Sequence, residues 1–168
     1  MAGRSDHGDH VFGMVADQIG FQLRRLDLLA MGSLYDFVAP LGLSPARATA
    51  LIFIGLHEGC DQVALARALG INRASAMAAV NDLVALGAVK RQAGRDRRSN
   101  ALRLTVVGVT LRAEIEAAFR DHEAQFFGCL SPDERTAFER IINKLRTLNA
   151  PGVAAETDKK PVSLRRVK

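Results

Sequence analysis

The chain has 168 residues, of which 48% are hydrophobic, 24% are charged and 5% are aromatic. This balance is typical of a globular protein with a single core, and its bias toward Ala, Leu and Val favours helices. The sequence contains no run of about 18 apolar residues, which excludes a membrane-spanning helix. Its first ten residues are polar and lack the apolar segment of a secretion signal, so we expect a cytoplasmic protein.

Positive charge is concentrated in two parts of the chain, whose formal net charge is +5. Residues 90–103 contain six basic side chains and one acidic side chain, and residues 151–168 contain five basic and two acidic side chains. Charge concentrated in this way is typical of a surface that binds nucleic acid.

The first predicted element is a long helix over residues 11–39, because apolar side chains recur there at steps of three and four. Such a helix exceeds what a small domain needs for its own core, which favours packing against a second chain. Pro40 and Gly42 end the helix, and Ser44 and Pro45 open another over residues 46–57 as cap and first residue.

Two short helices follow at the spacing of a helix-turn-helix. Asp61 is the predicted cap of a helix that ends before Gly70, and Asn72 is the predicted cap of a helix over residues 73–86. Residues 70–72 are the tight corner between them. Two strand-like runs, 88–92 and 101–105, flank a basic turn at 94–100, and this pattern predicts a hairpin wing.

The remaining elements are a helix over about 105–129 and a last helix to about 148, which Ser131 and Glu134 open as a capping box. We expect residues 149–168 to form a flexible basic tail and residues 1–10 to be disordered.

Several segments resemble the MarR family of transcriptional regulators. Residues 96–105 (DRRSNALRLT), with Gly108 after them, resemble its wing signature of Asp-x-Arg, three spacers, Leu-x-Leu-Thr and a later Gly. Residues 65–71 and 42–45 resemble the helix before the turn and the start of the second helix. The resemblance spans about residues 12–148.

This resemblance implies a mainly α fold with a small β-hairpin wing, in which a winged helix-turn-helix module at 59–105 hangs on a helical dimerisation base. Residues 11–58 and 106–148 form that base. The implied function is a homodimeric, ligand-responsive regulator, expected to be a repressor, that binds a pseudo-palindromic operator in double-stranded DNA.

The helix after the corner is expected to enter the major groove with its first residues. Asn72 caps it, and Arg73, Ser75 and Met77 are the candidate contacts, Met77 offering only apolar contact. The family often carries a further polar residue near Ala78, and its absence here shifts specificity toward DNA shape and the wing.

At the wing, Arg95, Arg97 and Arg98 are candidate DNA contacts, because arginine suits the negative potential of a narrow minor groove. The resemblance makes Arg98 the minor-groove finger. Asp96 is expected to pair with an arginine and fix the shape of the wing. The alternative is a solvated charge run on a mobile hairpin.

The resemblance also implies an effector, often an aromatic carboxylate or phenol, in a cleft between base and module. Arg24 or Arg25 is the candidate clamp for a carboxylate, because a buried anion needs a fixed cation. The other candidates are Phe21 and Leu28 for the ring and Tyr35 and His57 as polar contacts. An inter-subunit salt bridge with Asp27 or Asp36 is the alternative role of the arginines.

Other classes of function have weaker support. The four histidines (His7, His10, His57 and His122) are scattered, which argues against a metal site, and Cys60 and Cys129 are expected to be buried thiols rather than redox sensors. Phosphate-binding loops and nucleophile–base spacings are absent from the sequence, so we expect neither an enzyme nor a cofactor. A nucleoid-type DNA binder without an effector, or a redox- or metal-responsive regulator of the same fold, remains the alternative.

Overall fold

A computed structural model describes residues 13–93 and 100–149 of the chain. These residues form two compact units that divide between Phe126 and Phe127. The elements are α1 (Ile19–Val38), α2 (Pro45–Leu56), α3 (Gln62–Leu69), α4 (Arg73–Ala85), β1 (Val89–Ala93), β2 (Asn100–Leu104), α5 (Val106–Phe126) and α6 (Pro132–Leu148). The fold is therefore mainly helical with a single antiparallel hairpin in its described part, as the sequence predicted.

Side-chain caps set where four of the helices begin. The side chains of Ser44, Asp61, Asn72 and Ser131 each accept a hydrogen bond from a backbone N–H in the first turn of the helix that follows. Such a bond satisfies a helix donor that has no partner within the helix. All four predicted caps are confirmed, and Ser131 forms a full capping box with Glu134.

The long first helix was predicted wrongly at its start. Gly13–Val15 is a 3-10 turn, and α1 begins at Ile19. The backbone of Gln18 is extended, with ψ of 131°, so the helix does not continue back through this residue. The apolar residues before Gln18 therefore do not belong to α1, although their spacing is helical. At the other end, Ala39–Leu41 is a 3-10 turn and Gly42 takes a positive φ of 72°.

The core of the first unit is formed by side chains of α1, α2, α3, α4, the hairpin and α5. Its largest fully buried side chains are Leu51, Ile54, Leu65, Leu83, Leu102, Ile115, Val38 and Val80. In the hairpin, Val89 pairs with Leu104 and Arg91 with Leu102. Leu102 and Leu104 are buried whereas Arg103 is exposed, which confirms the predicted alternation of a half-buried strand.

A corner formed by Thr105 and Gly108 joins the wing to α5. The Thr105 hydroxyl donates to the Gly87 carbonyl at 2.6 Å and accepts from the Gly108 N–H at 3.1 Å. A Cβ on Gly108 would lie 2.0 Å from the Ala88 carbonyl oxygen, so the backbones approach too closely for any side chain. These contacts give a physical reason for the Thr and the Gly of the wing signature.

Across residues 13–93 and 100–149, no single helix is long and apolar enough to cross a membrane. Ile19–Leu41 and Pro45–Leu56 meet the length and composition test together, as a pair bent by 71°. The second of these helices contributes Leu51 and Ile54 to the core of the first unit.

Candidate nucleic-acid interface and effector residues

Helix α4 presents the predicted DNA-contacting residues at its exposed start. Arg73, Ser75 and Met77 are exposed, while Val80 and Leu83 are buried in the core. The Asn72 side-chain oxygen accepts the Ser75 N–H at 2.8 Å, which fixes the first turn. Since the N-terminal end of a helix carries free N–H groups and a positive partial charge, this end suits an approach to DNA.

The described part of the wing carries exposed basic side chains on both of its faces, because Lys90 pairs with Arg103 across the strands whereas the neighbouring Arg91 pairs with Leu102. Lys90 and Arg91 on β1 and Arg103 on β2 are exposed. The predicted contacts at the tip, Arg95, Arg97 and Arg98, and the predicted structuring residue Asp96 lie outside the described residues. Their roles therefore stay predictions.

Three further contacts hold the hairpin in place, and sequence reasoning did not find them. Leu102 exchanges backbone hydrogen bonds of 2.8 Å with Gly59 and Cys60, so the wing pairs with the segment just before α3. Arg103 forms an ion pair with Glu58 at 2.9 Å. The Arg91 guanidinium donates to the side-chain oxygen of Asn81 on α4. The hairpin and α4 are therefore linked directly.

The candidate effector residues on α1 lie at its surface or near it. Arg24 forms an ion pair with Asp27 at 2.7 Å, and its side chain is 64% exposed. Asp27 was one of the two residues considered as partners in an inter-subunit salt bridge. Here Arg24 pairs with Asp27 of its own chain, three residues further along the helix. Phe21 and Arg25 are half-buried, whereas Leu28 is exposed. The helical spacing places these residues along one side of α1.

The two polar candidates, Tyr35 and His57, are both exposed. His57 follows α2, and its ring packs on Phe53 with ring centroids 4.5 Å apart. His122 on α5, which sequence reasoning left unassigned, is 6% exposed. It packs between the rings of Phe37 and Phe126. Among the described side chains, its Nε2 is the buried polar atom that lacks a hydrogen-bond partner.

A cavity of about 260 Å³ lies between the end of α2, β2 and one face of α5. Its lining includes Gly55, Glu58, Leu104, Arg112 and Glu116. Arg112 pairs with Glu116 at 2.7 Å, and a Cβ on Gly55 would lie 2.9 Å from the Arg112 guanidinium. Because Glu58 also holds Arg103 of the wing, a ligand in this cavity would touch the support of the hairpin.

Metal binding and cysteine oxidation are the other sensing mechanisms to consider in residues 13–93 and 100–149. No group of three or more His, Cys, Asp or Glu side chains there is arranged to hold a metal ion. Burial raises the pKa of the half-buried Cys60 thiol, which disfavours the reactive thiolate. Cys129 is exposed, contrary to the expectation of a buried thiol, because it follows the end of α5 in the connection to α6.

Comparison with known proteins agrees with this geometry. Residues 41–99 match the model of the MarR family. A transcriptional regulatory protein for the hcr operon of Thauera aromatica is 32% identical over 143 residues, which is 84% of this chain and 86% of that protein.

Solved structures show the same fold. The repressor CouR bound to a 23-mer DNA duplex has a TM-score of 0.74 and 28% identity, covering 80% of this chain and 96% of that one. A MarR family protein of Mycobacterium tuberculosis in complex with salicylic acid has a TM-score of 0.65 and 26% identity, covering 77% and 98%. Because the family model matches its winged helix-turn-helix and a transcriptional regulator matches most of its length, the chain belongs to the MarR family of transcriptional regulators.

Proposed function

We propose that this regulator is a homodimeric repressor that binds a pseudo-palindromic operator and is released by a small aromatic effector. The observation that carries the proposal is the exposed start of α4 beside a hairpin that exposes Lys90, Arg91 and Arg103. A helix of this kind fits the major groove, and a basic wing fits the adjacent minor groove. CouR, which has the same fold, has been solved on a DNA duplex.

In this proposal α4 contacts base edges with Arg73, Ser75 and Met77, and the arginines at the wing tip contact the minor groove. Asn72 acts by fixing the first turn of α4. Lys90 and Arg91 contribute positive charge beside this surface, which attracts the phosphate backbone and makes binding depend on salt.

Two apolar surfaces support the homodimer. Helix α1 exposes Ile19, Leu23, Leu28, Leu29 and Met31, and helix α6 exposes Ile141, Ile142, Leu145 and Leu148. Exposed apolar side chains concentrated on two helices of a small protein favour an interface with another chain. A second copy would cover exposed side chains of this kind, and a two-fold dimer presents two copies of α4 to the two halves of a palindrome.

The effector proposed is an aromatic compound with a carboxylate or phenol group. Arg24 or Arg25 binds the polar group, Phe21 and Leu28 contact the ring, and Tyr35 and His57 supply further polar contacts. CouR has been solved with p-coumaroyl-CoA, and the Mycobacterium tuberculosis relative with salicylic acid. Aromatic acids and their thioesters are therefore the first compounds to test.

The experiment is release of protein from its own upstream DNA, followed by fluorescence anisotropy while salicylate, p-coumarate or p-coumaroyl-CoA is added. We expect one of these to dissociate the wild-type complex, and Arg24→Ala or Arg25→Ala to raise the concentration needed by about tenfold or more. Arg120→Ala, an exposed arginine on α5, is the control. If Arg112→Gln alone blocks release, the effector binds in the cavity beside Gly55 instead; if none of the three compounds releases the DNA, the aromatic effector class is wrong.

A further inference from the structure

The outward face of α4 is unusually apolar for a helix that approaches DNA. Met77 and Ala78 lie three and four residues after Ala74, and Asn81 lies four and three residues after them, so the four share one side of the helix. All four are exposed, and Met77 retains 51% of its surface. The opposite side of α4 is buried in the core of the first unit. We call these four residues the outward stripe of α4. The described part of the chain leaves this stripe exposed, so it can face another molecule.

Polar side chains border the outward stripe of α4 but do not fill it. Arg73 and Ser75 lie at the start of the helix, beside the stripe. Asn81 ends the stripe, and its side-chain oxygen accepts a hydrogen bond from Arg91 of the wing. Over the first two turns, the atoms that the stripe presents are thus the methyl groups of two alanines and the thioether of Met77.

The surroundings of this stripe indicate what covers it. Arg73 precedes it, and the exposed Arg91 of the neighbouring strand donates a hydrogen bond to Asn81 at its end. A protein partner with an apolar patch gains nothing from this rim of like charge, whereas the DNA major groove is flanked by phosphates. The charge around the stripe therefore favours DNA as its occupant.

In the major groove, base edges present hydrogen-bond donors and acceptors and one apolar group, the 5-methyl of thymine. We propose that the outward stripe of α4 reads thymine methyl groups in the operator, with Met77 as the principal contact. The inference rests on the proposed function, since it requires α4 to lie in the major groove. It adds the reading of methyl groups to the contacts that Arg73 and Ser75 make at the start of the same helix.

The physical consequence is a dependence on one carbon atom of the DNA. Burying a methyl group changes affinity by about fourfold, the equivalent of about 0.8 kcal/mol. The operator has two symmetric half-sites, so removing the same methyl from each half doubles the loss of binding free energy and weakens binding by about 15-fold. Because 5-methylcytosine carries its methyl at the corresponding position of the base, it replaces part of the lost contact.

The experiment uses the full-length protein and a duplex selected from genomic fragments. Each thymine is replaced in turn by deoxyuridine at the same position of both half-sites, which removes the methyl and leaves every hydrogen-bonding group in place. Anisotropy titrations at one salt concentration should show one or two positions per half-site at which the loss is about 15-fold. At those positions, a 5-methylcytosine–guanine pair should bind more tightly than a cytosine–guanine pair.

Variants of Met77 assign the contact. Met77→Gln keeps the length of the side chain and should bind the thymine and deoxyuridine duplexes equally, whereas Met77→Leu should keep the difference. Met14→Ala, an exposed methionine outside α4, is the control and should behave as wild type. Thermal melting establishes that each variant is folded.

The outcomes separate the two proposals. Selective binding that is indifferent to every deoxyuridine substitution overturns methyl reading and leaves the proposed function intact. Full thymine preference in Met77→Gln overturns the assignment to Met77. A wild-type protein that selects no DNA at all overturns the proposed function, and this inference with it.

Discussion

Gly108 occupies a position at which another segment of backbone leaves no room for a side chain. A Cβ there would lie 2.0 Å from the Ala88 carbonyl oxygen and 2.9 Å from its carbonyl carbon. Because both atoms belong to the backbone, relief requires α5 to move away from the wing. We expect Gly108→Ala to lower the free energy of unfolding by about 2–4 kcal/mol in urea denaturation.

The matched control is Gly20→Ala on α1, where a Cβ meets no atom within 4 Å. This substitution should leave stability unchanged or raise it slightly, since alanine favours helix. A Gly108→Ala protein as stable as the wild type would show that the junction between wing and α5 is looser than this geometry implies.

At the wing tip, the proposed minor-groove contact of Arg98 gives a second prediction. Arg98→Ala should weaken operator binding by about 1–3 kcal/mol, the scale of one specific contact, and should reduce the salt dependence. Arg120→Ala on α5 should change neither quantity. Unchanged affinity and salt dependence in Arg98→Ala would remove this arginine from the DNA contact.

Individual caps could be predicted from the sequence, because a cap and the N–H it accepts are within three residues of each other. Asn72 and Ser131 are examples. The ion pair of Arg103 with Glu58 could not be predicted, since its partners are 45 residues apart and meet through the tertiary fold. For Arg103, the alternation of β2 indicated an outward side chain but not its partner.

At the scale of elements, the capping box of α6 predicts a pH dependence. Hydrogen bonds from the Ser131 backbone N–H and hydroxyl hold the pKa of Glu134 below its ordinary value of 4.5. The unfolded chain therefore binds a proton more readily than the folded chain in this range. The contribution of Glu134 to stability is present above about pH 4.5 and is lost as the pH falls through the lower, folded-state pKa.

The test compares melting temperatures of wild type and Glu134→Gln from pH 7 to pH 3. Glutamine keeps a side chain that can accept the same bonds but does not titrate here. We expect the wild type to lose more of its melting temperature than the variant below about pH 4.5. Parallel curves would mean that the charge of Glu134 adds nothing to the cap.

The long first helix shows where a helical pattern misleads. Apolar spacing alone extended it through residues 11–39, but the extended backbone of Gln18 places its start at Ile19. By contrast, the boundaries of α3 and α4 were predicted closely, because a cap and a glycine mark each of them. Periodicity therefore located the helices, and capping chemistry located their ends.

For the whole molecule, the homodimer is proposed to depend on apolar surface of α1 and α6 and not on the basic tail. A protein truncated after Ala150 should remain dimeric in sedimentation equilibrium, because the exposed apolar residues of both helices are retained. Loss of five basic side chains should weaken binding to random DNA, most strongly at low salt. A monomeric truncated protein would contradict this account of the interface.

The most direct test of the central claim measures operator selectivity. The full-length protein is titrated with its own upstream palindrome and, at the same salt concentration, with a random duplex of equal length. The account predicts a preference for the palindrome of about 10³-fold or more. Equal affinity for the two duplexes would contradict it and would indicate a DNA binder without an operator.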